Sequence, residues 1–294
     1  MSAPTSMAEY FFDLLGYTLI EQALDPDHVR TINDWIDGLP PLEVDQWYGH
    51  IDVHTYSGVD GMNLQNIIEG GEIFERLIDH PAWIDQVRHY IGNAYGPYIN
   101  ESFINIRGPG GFIGVHSGGH VIDSCKPGGR DRKEWCCSEL SLLVALTDVG
   151  PGDGPTVLIP SSHKSDIRHP HDKGGFSDAG PATRLEGAIE VHMKTGDALL
   201  FQDFLCHGSA ERTNPGQRRM VVFRYLASVF AHRWGYVPSD GLLARLTPAQ
   251  RKIVQPIVPR RPPTDGRIGR QQDEPDGLTQ SDEEMANRAG QVPY

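Results

Sequence analysis

Phe112-Ile113-Gly114-Val115-His116-Ser117-Gly118-Gly119-His120 is an apolar run that ends on an imidazole and then passes into glycines. It reads as a β-strand with His116 at its end. Working outward, the same texture recurs. Short apolar runs at 99–106, 112–116, 140–147, 156–159, 189–193, 198–202 and 220–227 are separated by Gly108-Pro109-Gly110-Gly111, the glycine-rich 150–154, Pro160-Ser161-Ser162 and Thr213-Asn214-Pro215-Gly216. These separators are turn formers. Short strands without regular intervening helices predict a mainly β sandwich or jelly roll rather than a parallel α/β sheet.

The flanks read differently. Residues 8–20 suggest a short helix, a glycine break at Gly16 and a short strand. Asp25-Pro26-Asp27 is a helix start, with Asp25 as cap and Pro26 at the first position. Val29, Ile32, Trp35 and Ile36 then mark one helical face. Residues 41–72 look irregular, a loop that could face the substrate and carries Trp47, Tyr48, His50, His54 and Tyr56. Residues 73–95 look helical again, with Ile73, Leu77, Ile78, Trp83, Val87 and Ile91 as the apolar positions. Thr247-Pro248 opens a further helix. The expected organisation is one domain over 1–257, with a helical N-terminal part at 8–95 and a β core at 97–230. A Pro-, Gly- and charge-rich tail follows over 258–294.

The chain of 294 residues carries a formal charge of −13. That balance argues against a nucleic-acid polymer as partner. No run approaches the length of a membrane span, and the N-terminus lacks the pattern of a signal peptide. Cys125, Cys136, Cys137 and Cys206 match no zinc-ribbon spacing and read as reduced thiols, so a cytoplasmic location is expected. Nothing in the sequence fixes an oligomeric state.

Two imidazoles stand out, His116 and, past the run Ala198-Leu199-Leu200-Phe201, His207. Strand ends at the mouth of a β-barrel suit a bound metal, and imidazole pairs accept iron, zinc, copper or nickel. Arg218 begins the next strand after the Pro215-Gly216 turn. A guanidinium there suits a carboxylate through two parallel hydrogen bonds. Arg219 should point to the opposite face. Ser209, two residues past His207, is placed to add a hydroxyl to the same anion. Phe103, Asn105 and Arg107 alternate along a strand and should share a face. Asn105, Phe112, Trp135 and Phe201 are the candidate substrate contacts, and Arg130, Arg132, Lys133 and Lys173 could meet an anionic group.

The sequence resembles the phytanoyl-CoA dioxygenase family of Fe(II)/2-oxoglutarate-dependent oxygenases over roughly residues 8–255. The resemblance is carried by Phe12-Asp13-Leu14-Leu15-Gly16-Tyr17, by Leu143-Val144-Ala145-Leu146-Thr147-Asp148-Val149, by the stretch from Gly154 through Pro160-Ser161-Ser162-His163-Lys164, and by His207 followed by Arg218. It implies a double-stranded β-helix (a cupin-like jelly roll) flanked by helices. It implies Fe(II), 2-oxoglutarate and O2 as cofactor and co-substrates, with His116 and His207 on the metal and Arg218 on the far carboxylate of 2-oxoglutarate. His163 falls on a position read as structural.

One position departs from the family. Most members have aspartate two residues after the first histidine, where this chain has Gly118. The change is similar to that in the iron/2-oxoglutarate halogenases, where chloride takes the ligand position. It implies chlorination of an unactivated C–H bond of a small natural-product precursor, such as a phosphorylated nucleotide. Two alternatives stay open. Water or a carboxylate from elsewhere, Asp123 or Glu139, could complete a hydroxylase site. The chain could also be a non-catalytic β-sandwich binding protein.

Overall fold

The computed structural model describes residues 4–92, 96–117, 137–165, 167, 169–170, 180–183, 185–228 and 236–255. Helix α1 (Ser6–Leu15) begins where the Thr5 hydroxyl accepts from the Ala8 amide and ends on Gly16 at φ 85°. A β-carbon at Gly16 would also lie 2.5 Å from Nδ1 of His163, so backbone and packing both demand glycine. Strand β1 (Tyr17–Ile20) follows. Helix α2 (Pro26–Asp37) starts as expected, with the Asp25 carboxylate accepting from His28 N and with Val29, Ile32 and Ile36 buried.

Residues 41–72 are more ordered than their composition suggests. They form β2 (Gln46–Tyr48), β3 (Ile51–His54) and β4 (Met62–Gln65), three short antiparallel strands. Strand β2 is exposed throughout, so it shows no alternation of apolar and polar residues. The helix expected over 73–95 is divided into α3 (Glu72–Glu75) and α4 (Ile84–Ile91). Pro81 lies between them and cannot donate to a continuing helix.

The remaining strands are β5 (Pro97–Arg107), β6 (Glu139–Ala145), β7 (Thr156–Leu158), β8 (Ile189–Val191), β9 (Ala198–Gln202), β10 (His207–Ser209) and β11 (Arg218–Ala227), followed by α5 (Asp240–Arg245) and α6 (Pro248–Val254). They build an eight-stranded antiparallel sheet in the order β1-β9-β6-β11-β5-β4-β3-β2 and a three-stranded sheet in the order β10-β7-β8. Residues 112–116 are not a regular strand. Gly114 bridges Pro181, which has no N–H to give, and His116 bridges His207. The segment touches the smaller sheet at points only.

Alternation along the large sheet separates two cores. On its outer face Leu140, Leu142, Val144, Leu200, Val221, Phe223 and Tyr225 pack with Val29, Ile32, Trp83, Val87 and Tyr90 of the helical part. On its inner face Phe103, Leu199, Phe201, Met220 and Val222 pack with Leu158, Val191 and Met193. The cavity that matters lies on this inner side. Among the described residues, no helix is long and apolar enough to cross a membrane.

Candidate metal and co-substrate site

Two backbone bonds join the imidazole-bearing segments. His116 N donates to His207 O at 2.8 Å, and His207 N donates to His116 O at 2.7 Å. The pairing sets the rings with centroids 4.1 Å apart. Gly208 lets the segments come this close, since a β-carbon there would lie 2.9 Å from the carbonyl oxygens of Ile113 and Gly114. Nδ1 of His116 is 2.8 Å from Gly114 O, and Nδ1 of His207 is 2.6 Å from Leu205 O. A carbonyl can only accept, so each ring carries a proton on Nδ1, and in the neutral ring Nε2 then keeps its lone pair. Burial holds the His116 imidazole well below its usual range, and neighbouring His207 adds to this. A neutral ring with a fixed Nδ1–H is the form that binds a metal.

Both histidines line a cavity, with Tyr56, Asp60, Asn63, Phe103, Asn105 and Arg107 among the other wall residues. Strands β5 and β11 lay out its floor. Their register sets Arg107 opposite Arg218, Asn105 opposite Met220, Phe103 opposite Val222 and Glu101 opposite Arg224. Arg218 and Arg224 are six residues apart on one face, which spans roughly 20 Å of strand.

At one end are Arg107 and Arg218, 0% and 3% exposed. Arg218 donates to Asn105 Oδ1 and Thr156 Oγ1, both at 3.2 Å. Arg107 donates to the backbone oxygen of Asp60 at 3.1 Å and to Ser209 Oγ at 2.6 Å. Burial pulls the Arg107 guanidinium down to about 10 despite the nearby Asp60 charge. Burial also pulls Arg218 well down, with Arg107 and Arg212 adding repulsion. Arg219 points the other way, to Asp37, as alternation requires.

At the other end Arg224 meets three carboxylates. Its Nε lies 3.0 Å from Glu101, and its Nη1 lies 3.8 Å from Glu139 and 3.4 Å from Asp203. Burial works against this guanidinium's charge, but the three acids outweigh it and raise its pKa. The Tyr56 hydroxyl donates to Glu101, and Gln65 Nε2 donates to both. Glu139, an expected alternative metal ligand, is thus engaged with Arg224.

The expected residues fare unequally. His116, His207, Ser209, Arg218, Asn105 and Phe201 all reach the cavity wall. The Phe201 ring packs edge-on to His207 at 4.8 Å. Asn105 Oδ1 accepts from Arg218 on that wall. Phe112 is not among the wall residues, where Ile113 stands in its place. Gly118, Asp123, Arg130, Arg132, Lys133, Trp135 and Lys173 lie outside the described residues. Sequence reading missed Arg224, although the even spacing from Arg218 on one strand signals it. Tyr56, Asp60 and Asn63 come from loop and short-strand positions that give no periodic signal.

Buried nitrogens test whether the site fits its expected occupants. Nη2 of Arg107 and Nε of Arg218 have no hydrogen-bond partner among the described residues. Two buried guanidiniums with donors to spare fit a carboxylate, and two imidazole Nε2 lone pairs fit a first-row metal.

Comparison with known proteins agrees. The family model of phytanoyl-CoA dioxygenase (PhyH) matches residues 12–220. The chain is 34% identical over 257 residues to the dioxygenase cdmD of Talaromyces verruculosus, covering 81% of this chain and 80% of that protein. It is 23% identical to the 1-deoxypentalenic acid 11-beta-hydroxylase of Streptomyces exfoliatus, over 81% of this chain and 89% of that one. In fold it is similar to HygX from Streptomyces hygroscopicus, whose crystal structure holds nickel and 2-oxoglutarate. That match has a TM-score of 0.62 and 19% identity, over 82% of this chain and 94% of that one.

Proposed function

The chain belongs to the phytanoyl-CoA dioxygenase family of Fe(II)/2-oxoglutarate-dependent oxidoreductases, and from that premise we propose that it hydroxylates a C–H bond of a small molecule at the His116–His207 site. The observation that carries this reading is the pair of imidazoles, each with Nδ1 on a backbone carbonyl, on the wall of a cavity that ends in two buried arginines. When bound, iron(II) and 2-oxoglutarate supply the oxidising power: O2 is consumed, 2-oxoglutarate is converted to succinate and CO2, and one oxygen atom enters the substrate C–H bond. His116 and His207 hold the metal through Nε2. Their Nδ1–H bonds to backbone carbonyls fix the ring planes, so no side chain must reorganise on binding. Arg218, steadied by Asn105 and Thr156, holds the far carboxylate of 2-oxoglutarate, and Ser209 adds a hydroxyl. Phe201 and Phe103 supply apolar wall beside the metal. Low polarity there strengthens the charged contacts and limits water.

A second reading, chlorination, rests on Gly118, which replaces the acid two residues after His116. Glycine leaves a metal position for chloride, and such an enzyme would act on a small natural-product precursor, phosphorylated or not. The names of the relatives, a dioxygenase and a hydroxylase, favour oxygen insertion.

The test begins anaerobically. Fe(II) and 2-oxoglutarate are added to the protein, and the metal-to-ligand charge-transfer band is followed while chloride is titrated. A band that ignores chloride, with succinate formed once O2 is admitted, supports the hydroxylase. A chloride-dependent shift favours the halogenase. No band, with no bound iron, rejects the enzyme reading and leaves a binding protein.

A further inference from the structure

We infer that Arg107 is a second binding residue for the far carboxylate of the 2-oxo acid co-substrate, acting together with Arg218 and through Ser209. The inference rests on the proposal that this cavity takes 2-oxoglutarate, but it assigns a residue outside the family's motif positions.

Three observations support it. First, Arg107 and Arg218 are direct partners across β5 and β11. Like charges placed opposite one another destabilise a sheet. Both are fully or nearly fully buried, which makes the cost larger. Neither makes an ion pair with a described carboxylate. The Asp60 carboxylate nearby is already bonded by Thr55, Tyr56, Ser57 and Asn63. An anion between the two guanidiniums removes this repulsion.

Second, the donors are left over where an anion would sit. Nη2 of Arg107 and Nε of Arg218 are buried without a hydrogen-bond partner among the described residues. Both residues line the cavity.

Third, Ser209 is wired as a donor. Its hydroxyl oxygen accepts from Arg107 Nη1 at 2.6 Å and from Ile113 N at 2.8 Å. A hydroxyl has two lone pairs and one proton. With both lone pairs used, its proton must be given outward. Arg107 therefore contributes its own charge and also fixes the direction of the Ser209 O–H. A lysine, with one rotatable ammonium, would not reproduce the fork that reaches Asp60 O and Ser209 together.

The experiment uses the full chain loaded with nickel(II), so that binding is read without turnover. Calorimetry compares 2-oxoglutarate with 2-oxobutyrate, which keeps the 2-oxo acid head but lacks the second carboxylate. If wild type binds 2-oxoglutarate, the co-substrate reading stands and the inference can be judged. Arg107→Gln is then expected to weaken 2-oxoglutarate about ten- to a hundredfold, the worth of one charge-assisted contact, and to leave 2-oxobutyrate within about twofold. Arg107→Lys should recover only part of the loss. Equal weakening of both acids would make Arg107 a structural residue and overturn the inference, as would unchanged 2-oxoglutarate affinity. Should Arg107→Gln fail to fold, Arg107→Lys decides alone: full wild-type affinity for 2-oxoglutarate overturns the inference, and selective loss supports it. Failure of wild type to bind either acid would reject the co-substrate reading itself.

Discussion

His116 and His207 exchange two backbone hydrogen bonds and present their rings 4.1 Å apart, so each residue places the other. The site is therefore built by the pairing of two segments. Replacing either imbalances metal binding without touching the main cores. His116→Ala or His207→Ala is expected to lower nickel(II) affinity at least about a hundredfold, since one of two imidazole donors is lost. Metal titration of each variant, with circular dichroism to verify the fold, measures this. Retention of wild-type affinity by both variants would move the metal elsewhere.

Arg224 is held among Glu101, Glu139 and Asp203 at the opposite end of the cavity from Arg107 and Arg218. Removing one partner from a buried ion cluster leaves the others uncompensated. Arg224→Gln should therefore cost about 3–5 kcal/mol of stability. Urea unfolding of the metal-free protein reads this directly. A loss below about 1 kcal/mol would mean that the acids are neutralised by protonation instead.

Much of this was legible beforehand because the strands that carry the site alternate between two faces. The residues of 140–144, 198–201 and 218–224 divide cleanly between an outer helix-covered face and the inner cavity, and the inward Arg218 and outward Arg219 follow from that rule. Where local pattern is weak, reading failed. Strands β2 to β4 are short and take their order from pairing with β5, a long-range contact that no local period announces. Residues 112–116 read as a strand because they are apolar, but their hydrogen bonds are divided among Val59, Ser209 and His207. Tyr56, Asp60 and Asn63 reach the cavity from that same part of the chain. Arg107 was assigned to the right face, but its pairing with Arg218 needed the register.

His163 joins α1 to the jelly roll. Its Nε2–H donates to Asp13 O at 2.9 Å, and its ring packs on Gly16. Burial holds this imidazole below its usual value of 6.5. The unfolded chain then binds more protons than the folded one as pH falls through 6.5, so His163 makes stability fall in that window and adds no penalty above it. His163→Ala should cost about 2–3 kcal/mol at pH 7.5, from the lost hydrogen bond and packing. His163→Gln should keep more of the stability and show a shallower decline between pH 7 and 5. An unchanged pH slope in His163→Gln would place the acid sensitivity on other groups.

Gly118 lies two residues past a histidine whose position is fixed by the His207 pairing. In the two-histidine, one-carboxylate arrangement, a carboxylate at this spacing completes one face of the metal. Gly118→Asp would supply it. Gaining an anionic ligand should tighten Fe(II) binding, by about tenfold or more, because charge neutralisation adds to the two imidazole donors. The informative comparison is the response to chloride. If wild-type iron takes halide at this position, the charge-transfer band of wild type moves with chloride, while that of Gly118→Asp stays fixed. The product should then change from chlorinated to hydroxylated. If wild type already hydroxylates with water or another carboxylate at iron, neither band should respond to chloride, and the substitution should change affinity more than product. A wild-type band insensitive to chloride would therefore remove the halogenase reading while leaving the His116–His207 site intact.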